Sequence, residues 1–246
     1  MIKAFVFDLD GTLAQTEILK AHSYAKAVEK LKPGEYKLHD LIDFYIRLVG
    51  HSREEVANYF LLKFKLEKEL EKLVRDFKVK EAWEAFIKIR LKYYFEFLDN
   101  PRILKTVVCQ YSTKLLKKVK VLNYKTALAT TSHLDETTKV LETLKLKNLF
   151  NFIATRDLIE NSKPDPEIYK LVLSKLKVKP VQCITIEDSL TGIKAALAAK
   201  VNCIAATNDY TRDSVNKSRL LERRWIVNNL SNLESVVEEM IKIHSG

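Results

Sequence analysis

The spacing of apolar residues along this chain changes twice. Residues 2 to 7 make a short apolar run with β-branched and aromatic members, the pattern of a strand buried on both faces. From Thr16 to about Leu98 the apolar positions recur three and four apart, with almost no strand signal. The spacing predicts helices over 17–31, ended by Pro33-Gly34, and over 39–49, 53–75 with a break, and 81–98. Trp83, Phe86, Tyr93, Tyr94 and Phe97 are read as the core of this bundle. After Asn100-Pro101 helix and strand alternate. Helices are predicted over 112–120, 135–145, 166–176, 190–199 and 231–243, and strands over 125–130, 152–154, 182–186, 202–206 and, as an edge, 225–227. Such alternation implies a parallel sheet covered by helices, an α/β core made of 1–15 and 99–246 with a helical domain, 16–98, inserted after the first strand. Asp165 is expected to cap the helix that Pro166 begins.

Composition narrows the class. A chain of 246 residues with 47% hydrophobic content fills a real core, which removes disorder from contention. Only five Gly and five Pro occur, so those present mark specific turns, Gly11, Gly34, Gly50 and Gly192 among them. Cys109, Cys183 and Cys203 lack metal-ligand spacing and read as buried reduced thiols, which points to the cytoplasm. No run is long and apolar enough to cross a membrane, and a strand beginning at Ile2 leaves no room for a signal peptide. The net charge of +10 is spread along helices and interleaved with Glu, which argues against nucleic acid and for solvated faces that also attract anionic substrates. Abundant Lys and Glu with few Gly suggest a heat-adapted source.

The chemistry begins where the first strand ends. Asp8-Leu9-Asp10-Gly11-Thr12 places two carboxylates at a strand's carboxyl end, on a turn that Gly11 permits. One aspartate can attack phosphorus, and the other can pass a proton to the leaving oxygen and take one from water. Facing an anionic phosphate, the pair needs a hard cation with oxygen ligands, Mg²⁺. An ordinary acidic turn is the bland reading. Thr130-Thr131-Ser132, ending the strand 125–130, suits phosphate oxygens, though Ser132 could equally cap the next helix. Lys163 stands at a helix entrance, where an ammonium can meet phosphate and nucleophile, or simply lie exposed. Glu187-Asp188 brings a second acidic pair to a strand's carboxyl end; two such loops on one sheet converge on one edge.

Asp8-x-Asp10, Thr130, Lys163 and Glu187-Asp188, in that order and separated by helices, resemble the four motifs of the haloacid dehalogenase superfamily across essentially the whole chain. Lys-Pro-Asp-Pro-Glu-Ile-Tyr and Glu-Asp-Ser-Leu-Thr-Gly-Ile are similar to the branch that holds phosphoglycolate phosphatase, β-phosphoglucomutase and sugar bisphosphate phosphatases. The resemblance implies a Rossmann-like core with an α-helical cap. It implies that Asp8 is the nucleophile, Asp10 the general acid and base, and Thr130 and Lys163 the phosphate binders, with Lys163 also serving catalysis and the Thr131 and Ser132 hydroxyls, read from the cluster itself, expected beside Thr130. Mg²⁺ would be held by Asp8, the Asp10 carbonyl and Asp188, with Glu187 assisting. Gly50-His51-Ser52-Arg53-Glu54 is similar to a substrate-specificity loop, so Arg53 would meet the far end of the substrate or, in the plain alternative, begin a cap helix. Arg90 and Lys92 lie where relatives supply a further cation, with helix-surface solvation the competing reading; His22 resembles a residue that steadies the general acid, or is an ordinary packed histidine. Gln15-Thr16-Glu17, where relatives read Asp-Thr-Glu or Asp-Ser-Glu, and Ser162 and Lys200 in place of Gly, are departures that touch subfamily and not chemistry. The implied activity is a monomeric, Mg²⁺-dependent phosphatase acting on a small phosphorylated metabolite, a sugar phosphate or bisphosphate. A phosphosugar mutase is the first alternative, and a non-catalytic anion- or nucleic-acid-binding protein the alternative of another class.

Overall fold

Six apolar segments become parallel strands: β1 (Ala4–Phe7), β2 (Lys125–Ala129), β3 (Phe152–Ala154), β4 (Cys183–Glu187), β5 (Asn202–Ala206) and β6 (Ile226–Val227). They lie in the order β3-β2-β1-β4-β5-β6, so β1 is central and the order reverses beside it. In a parallel sheet that switch point opens a crevice at the carboxyl ends of the strands, which is where β1 delivers its acids. Register ties these ends together, with Phe7 opposite both Leu128 of β2 and Ile186 of β4. Every residue of β1 is fully buried, as a run apolar on both faces requires. The computed structural model describes residues 1–244, so the last two positions of the expected range 99–246 lie outside it.

The chain divides into two units, Met1–Gln15 with Leu104–Gly246, and Thr16–Ile103. The second unit holds α1 (Thr16–Leu31), α2 (Leu38–Ile46), α3 (Arg53–Phe64), α4 (Glu67–Asp76) and α5 (Ala82–Leu98). The break predicted within 53–75 falls at Lys65, which ends α3 in a left-handed conformation, φ 51°. Tyr24, Phe60 and Phe86 stack and tilt against one another at its centre, with ring centroids 5.0 to 5.9 Å apart. Such pairs add to plain area burial and help a small bundle hold together.

The sheet unit is covered by α7 (Gln110–Val121), α8 (Leu134–Thr143), α9 (Glu167–Leu176), α10 (Leu190–Ala198), α11 (Arg212–Ser218) and α12 (Leu233–Ile243), while α6 (Pro101–Thr106) spans the point where the chain returns from the helical unit. The short helices α6 and α11, of 6 and 7 residues, have no counterpart in the periodic pattern, which needs two turns or more to register. Asp165 departs from its expected place by one position. Pro166 is the residue preceding α9, and Asp165 Oδ1 accepts from the Glu167 N–H at 2.8 Å. Cys109, Cys183 and Cys203 are free and buried; burial alone pushes the Cys183 thiol up to about 12.

Candidate active site

The β1 ladder continues one residue beyond the strand, where the Asp8 N–H donates to Ile186 O at 3.1 Å. The chain then turns through Gly11, φ 86°, whose N–H donates to Ala14 O at 2.8 Å. A Cβ at Gly11 would overlap the Asp188 carboxylate, so the glycine is required twice, by its conformation and by its neighbour. Lys163 joins the two acidic loops. Its Nζ donates to Asp8 Oδ1 at 2.7 Å, to Glu187 Oε1 at 2.6 Å and to Ala129 O at 2.8 Å, using all three ammonium protons. The Lys163 side chain is only 4% exposed, so the bland reading of an exposed lysine before proline does not hold.

Glu187 and Asp188 straddle the end of β4. Glu187 is fully buried; its Oε1 also accepts from the Tyr169 hydroxyl of α9, and its Oε2 has no hydrogen-bond partner among the described residues. Its carboxylate lies against the backbone of Gly192 in the first turn of α10, where a Cβ would collide with it. Ser189 caps that helix, accepting from the Gly192 N–H at 3.2 Å. Asp188 is held from a third loop. Asn208, after β5, donates through Nδ2 to Asp188 Oδ2 at 2.7 Å and to Gly11 O at 3.4 Å, while its Oδ1 accepts the N–H groups of Tyr210 and Thr211.

One ammonium therefore stands among several buried carboxylates. Burial pushes the Asp8 carboxyl up to about 7; Lys163 opposes the rise, and the charges of Glu187 and Asp10 add to it. Lys163 itself is held above its ordinary range by Asp8 and Glu187 despite its burial. Asp8, Glu187 and Asp188, all buried, offer oxygens within 4.8 Å of one another, a hard donor set of the kind Mg²⁺ takes. The orphaned Glu187 Oε2 and the surplus of negative charge both fit a divalent cation.

Among the other residues named from sequence, Ser132 and Thr130 turn toward Asp10. The Ser132 hydroxyl donates to Asp10 Oδ2 at 2.5 Å and the Thr130 hydroxyl approaches the same oxygen at 3.4 Å, while the Ser132 N–H donates to Thr130 Oγ1 at 3.1 Å. Ser132 does not cap α8; Asp157 does that service for the Leu134 N–H at 2.7 Å. Thr131 is exposed and outside this hydrogen-bonded group. In the helical unit, Arg53 opens α3 behind a capping box of Ser52 and Glu55. Arg90 is no surface residue. It is 2% exposed, its guanidinium over the rings of Tyr24 and Tyr94 at 4.9 and 4.6 Å. Lys92 is exposed, and His22 packs edge-on to Phe97, with burial and then Lys26 pulling its pKa down. Sequence reasoning missed Tyr169 and Asn208. Tyr169 sits in the Lys-Pro-Asp-Pro-Glu-Ile-Tyr motif at an apolar helix position, and Asn208 carried one faint signal, a polar pair directly after a buried strand.

The sequence matches the profile of the haloacid dehalogenase-like hydrolases over residues 5–206. It is 30% identical over 204 residues to a phosphorylated carbohydrates phosphatase of Thermotoga maritima, covering 82% of this chain and 84% of that one. It is 28% identical over 215 residues to the protein CbbY of Cereibacter sphaeroides, covering 86% and 87%. Among solved structures, a β-phosphoglucomutase from Clostridium difficile superposes with a TM-score of 0.74 at 26% identity, over 99% of each chain.

Proposed function

Because this chain belongs to the haloacid dehalogenase-like hydrolases, we propose that it is a Mg²⁺-dependent phosphatase that cleaves a small phosphorylated metabolite, a sugar phosphate or bisphosphate, through an aspartyl phosphate on Asp8. The observation that carries this reading is Lys163 bonded at once to Asp8 and Glu187, with Asp10 and Asp188 on adjoining loops of the same sheet edge. Lys163 holds Asp8 Oδ1 and so fixes the carboxylate for attack through its other oxygen. As the Asp8–phosphorus bond forms, the bond to the leaving oxygen breaks with its electron pair, and Asp10 gives that oxygen its proton. Ser132 and Thr130, at Asp10 Oδ2, fix the plane of this carboxyl. Water then attacks phosphorus, Asp10 takes its proton, and Asp8 leaves as the carboxylate.

Asp8, the Asp10 carbonyl, Asp188 and, in support, Glu187 would hold the metal ion. A bound Mg²⁺ would neutralise the repulsion between these carboxylates and the phosphate. Thr130, Thr131 and Ser132 would receive phosphate oxygens, Lys163 would do so by exchanging one of its three present acceptors for the phosphate, and Arg53 would receive a second anionic group on the substrate. We assign the sheet unit as the catalytic domain and the helical unit as its cap, and expect a monomer in the cytoplasm. Among the described residues no helix is long and apolar enough to cross a membrane.

The likeness to a β-phosphoglucomutase favours one second reading, in which a sugar hydroxyl and not water accepts the phosphoryl group. A panel of phosphorylated sugars, assayed with Mg²⁺ and with EDTA and followed by phosphorus NMR, tests both. Release of inorganic phosphate that stops in EDTA is the expected result. An isomeric sugar phosphate as the main product would establish the mutase, and inert substrates throughout would leave a non-catalytic binding protein.

A further inference from the structure

Charge in the sheet unit is sorted by edge. Helices that cross between parallel strands run back along the sheet, so their C-termini gather at the strands' amino ends, away from Asp8 and Asp188. The segments entering the strands there carry Lys3 before β1, Lys145 and Lys147 before β3, Lys177 and Lys179 before β4, Lys200 before β5, and three arginines before β6. All of these are exposed, and among the described residues Glu222 is the one carboxylate in the same segments. The segments leaving the strands show the reverse, with Asp8, Asp10, Asp157, Glu160, Asp165 and Asp188 among the acids and only Arg156 and Lys163 as cations. Lysines dispersed along the sequence thus converge in the fold.

Helix termini explain part of this. Lys145, Lys177 and Lys200 follow α8, α9 and α10 in left-handed conformations, where a cation complements the negative end of the helix. Lys147 is paired with Glu142 and Arg224 with Glu222. Helix ends do not explain Lys3 and Lys179, nor the aliphatic side chains standing among the cations. Val121, the last residue of α7, and Leu122, which follows it before β2, are 79% and 57% exposed, and Val181, before β4, is 59% exposed. Strands β2, β1 and β4 are neighbours, so these three flank Lys3 at the centre of the row. No aromatic side chain in the segments entering β1 to β6 is exposed among the described residues, which removes the stacking that single-stranded nucleic acid prefers. Cations near an anionic lipid surface are attracted to it, and exposed aliphatics standing among them can bury themselves at the head-group level.

We propose that this amino-end edge is a docking face for an anionic lipid bilayer, which the protein meets peripherally with its catalytic edge on the far side of the sheet. The inference stands apart from the assignment of Asp8 and its neighbours, and vesicle binding decides it, with activity serving as a check that the variants fold. The intact protein is floated with vesicles of phosphatidylcholine containing about one third phosphatidylglycerol, and with pure phosphatidylcholine, at low salt and at physiological salt. Each lysine near an anionic surface accounts for roughly a five-fold gain in binding, so Lys177→Gln, Lys179→Gln and Lys200→Gln together should weaken it about a hundred-fold. Val121→Ser with Leu122→Ser should weaken the binding that survives physiological salt. Phosphatase activity on a soluble substrate should be unchanged in both variants. Failure to bind the anionic vesicles at low salt, or binding that the lysine variant retains, would overturn the proposal. So would equal binding to a single-stranded polynucleotide with indifference to the Val121 and Leu122 changes, which would mark a generic polyanion surface.

Discussion

The two units bury a cation in opposite manners. In the sheet unit Lys163 lies among oxygens, donating to Asp8, Glu187 and Ala129. In the helical unit Arg90 lies over two tyrosine faces, near a polar group in which Tyr45 donates to Glu17 at 2.6 Å and Lys20 pairs with the same carboxylate at 2.8 Å. Oxygen donors on loops can exchange protons, hold a metal ion and meet phosphorus. Aromatic faces on helices hold a cation in place and react with nothing. The sheet unit thus gathers its polar groups where strands end, and the helical unit sorts them by the phase of each helix.

The largest expected effect would break this contrast if it failed. Asp8→Asn keeps the volume and removes the proposed nucleophile, so activity should fall at least about a hundred-fold while the circular dichroism spectrum is kept. A folded variant with a larger residual rate would reduce the Asp8 cluster to a structural network like that around Arg90. Arg53→Ala comes next. Charge-assisted bonds to a distant anion are worth about 1.5–3 kcal/mol, or roughly ten- to a hundred-and-fifty-fold in kcat/KM, on a substrate with two anionic groups. On a small aryl phosphate the same variant should lose almost nothing. Equal losses on both substrates, or none on either, would return Arg53 to the role of first residue in α3.

Asn208→Ala sharpens the sheet side of the comparison. Removing a partner that orients a metal ligand typically costs ten- to a hundred-fold in metal affinity. The Mg²⁺ needed to raise the melting temperature should increase by that factor, while kcat at saturating Mg²⁺ stays near the original. An unaltered Mg²⁺ titration would separate Asn208 from the metal site. On the helical side, Arg90→Lys keeps the charge and loses the flat guanidinium that lies over the Tyr24 and Tyr94 rings. A loss of about 1–2 kcal/mol is expected, lowering the melting temperature by several degrees. No change in a thermal scan would show that stacking is not what the site needs.

The same contrast explains what could be read in advance. β1, β2, β4 and β5 are apolar runs closed by polar residues, so both the strands and the acids at their ends were visible as local pattern. Lys163 was visible only through its motif, since nothing in Ser-Lys-Pro foretells a lysine threaded between two carboxylates. Asn208 became important because β5 happens to lie beside β4, a fact of topology that a two-residue polar tail cannot carry. Of the two readings of Arg90, helix-surface solvation fails, because charge on a helix is read as solvated whereas the phase of α5 turns this cation inward onto Tyr24.

The smallest effect concerns what the Asp8 cluster does to stability without metal. Burial, aided by Glu187 and Asp10 against the pull of Lys163, raises the Asp8 carboxyl from 3.8 to about 7 in the folded chain. A carboxyl raised on folding binds its proton more tightly in the folded state. Its contribution to stability is therefore complete below pH 3.8 and drains away as pH rises toward about 7, by at most about 1.4 kcal/mol per pH unit. Lys163 is also raised, but from 10.5, so its contribution fades only above that pH and leaves the window clear. Surface carboxylates such as Glu167 and Glu234 are lowered, so their contributions appear from about pH 4 upward and mask the Asp8 slope in the wild type. The difference between Asp8→Asn and the wild type removes them. In EDTA, the variant's melting temperature should gain on the wild type by a few degrees for each kcal/mol as pH climbs from 4 to 7. With Mg²⁺ present the gain should shrink or reverse, since the metal ion selects the charged carboxylate. Parallel melting curves in EDTA across that range would show that Asp8 is already ionised in the metal-free fold, and that Lys163 alone balances it.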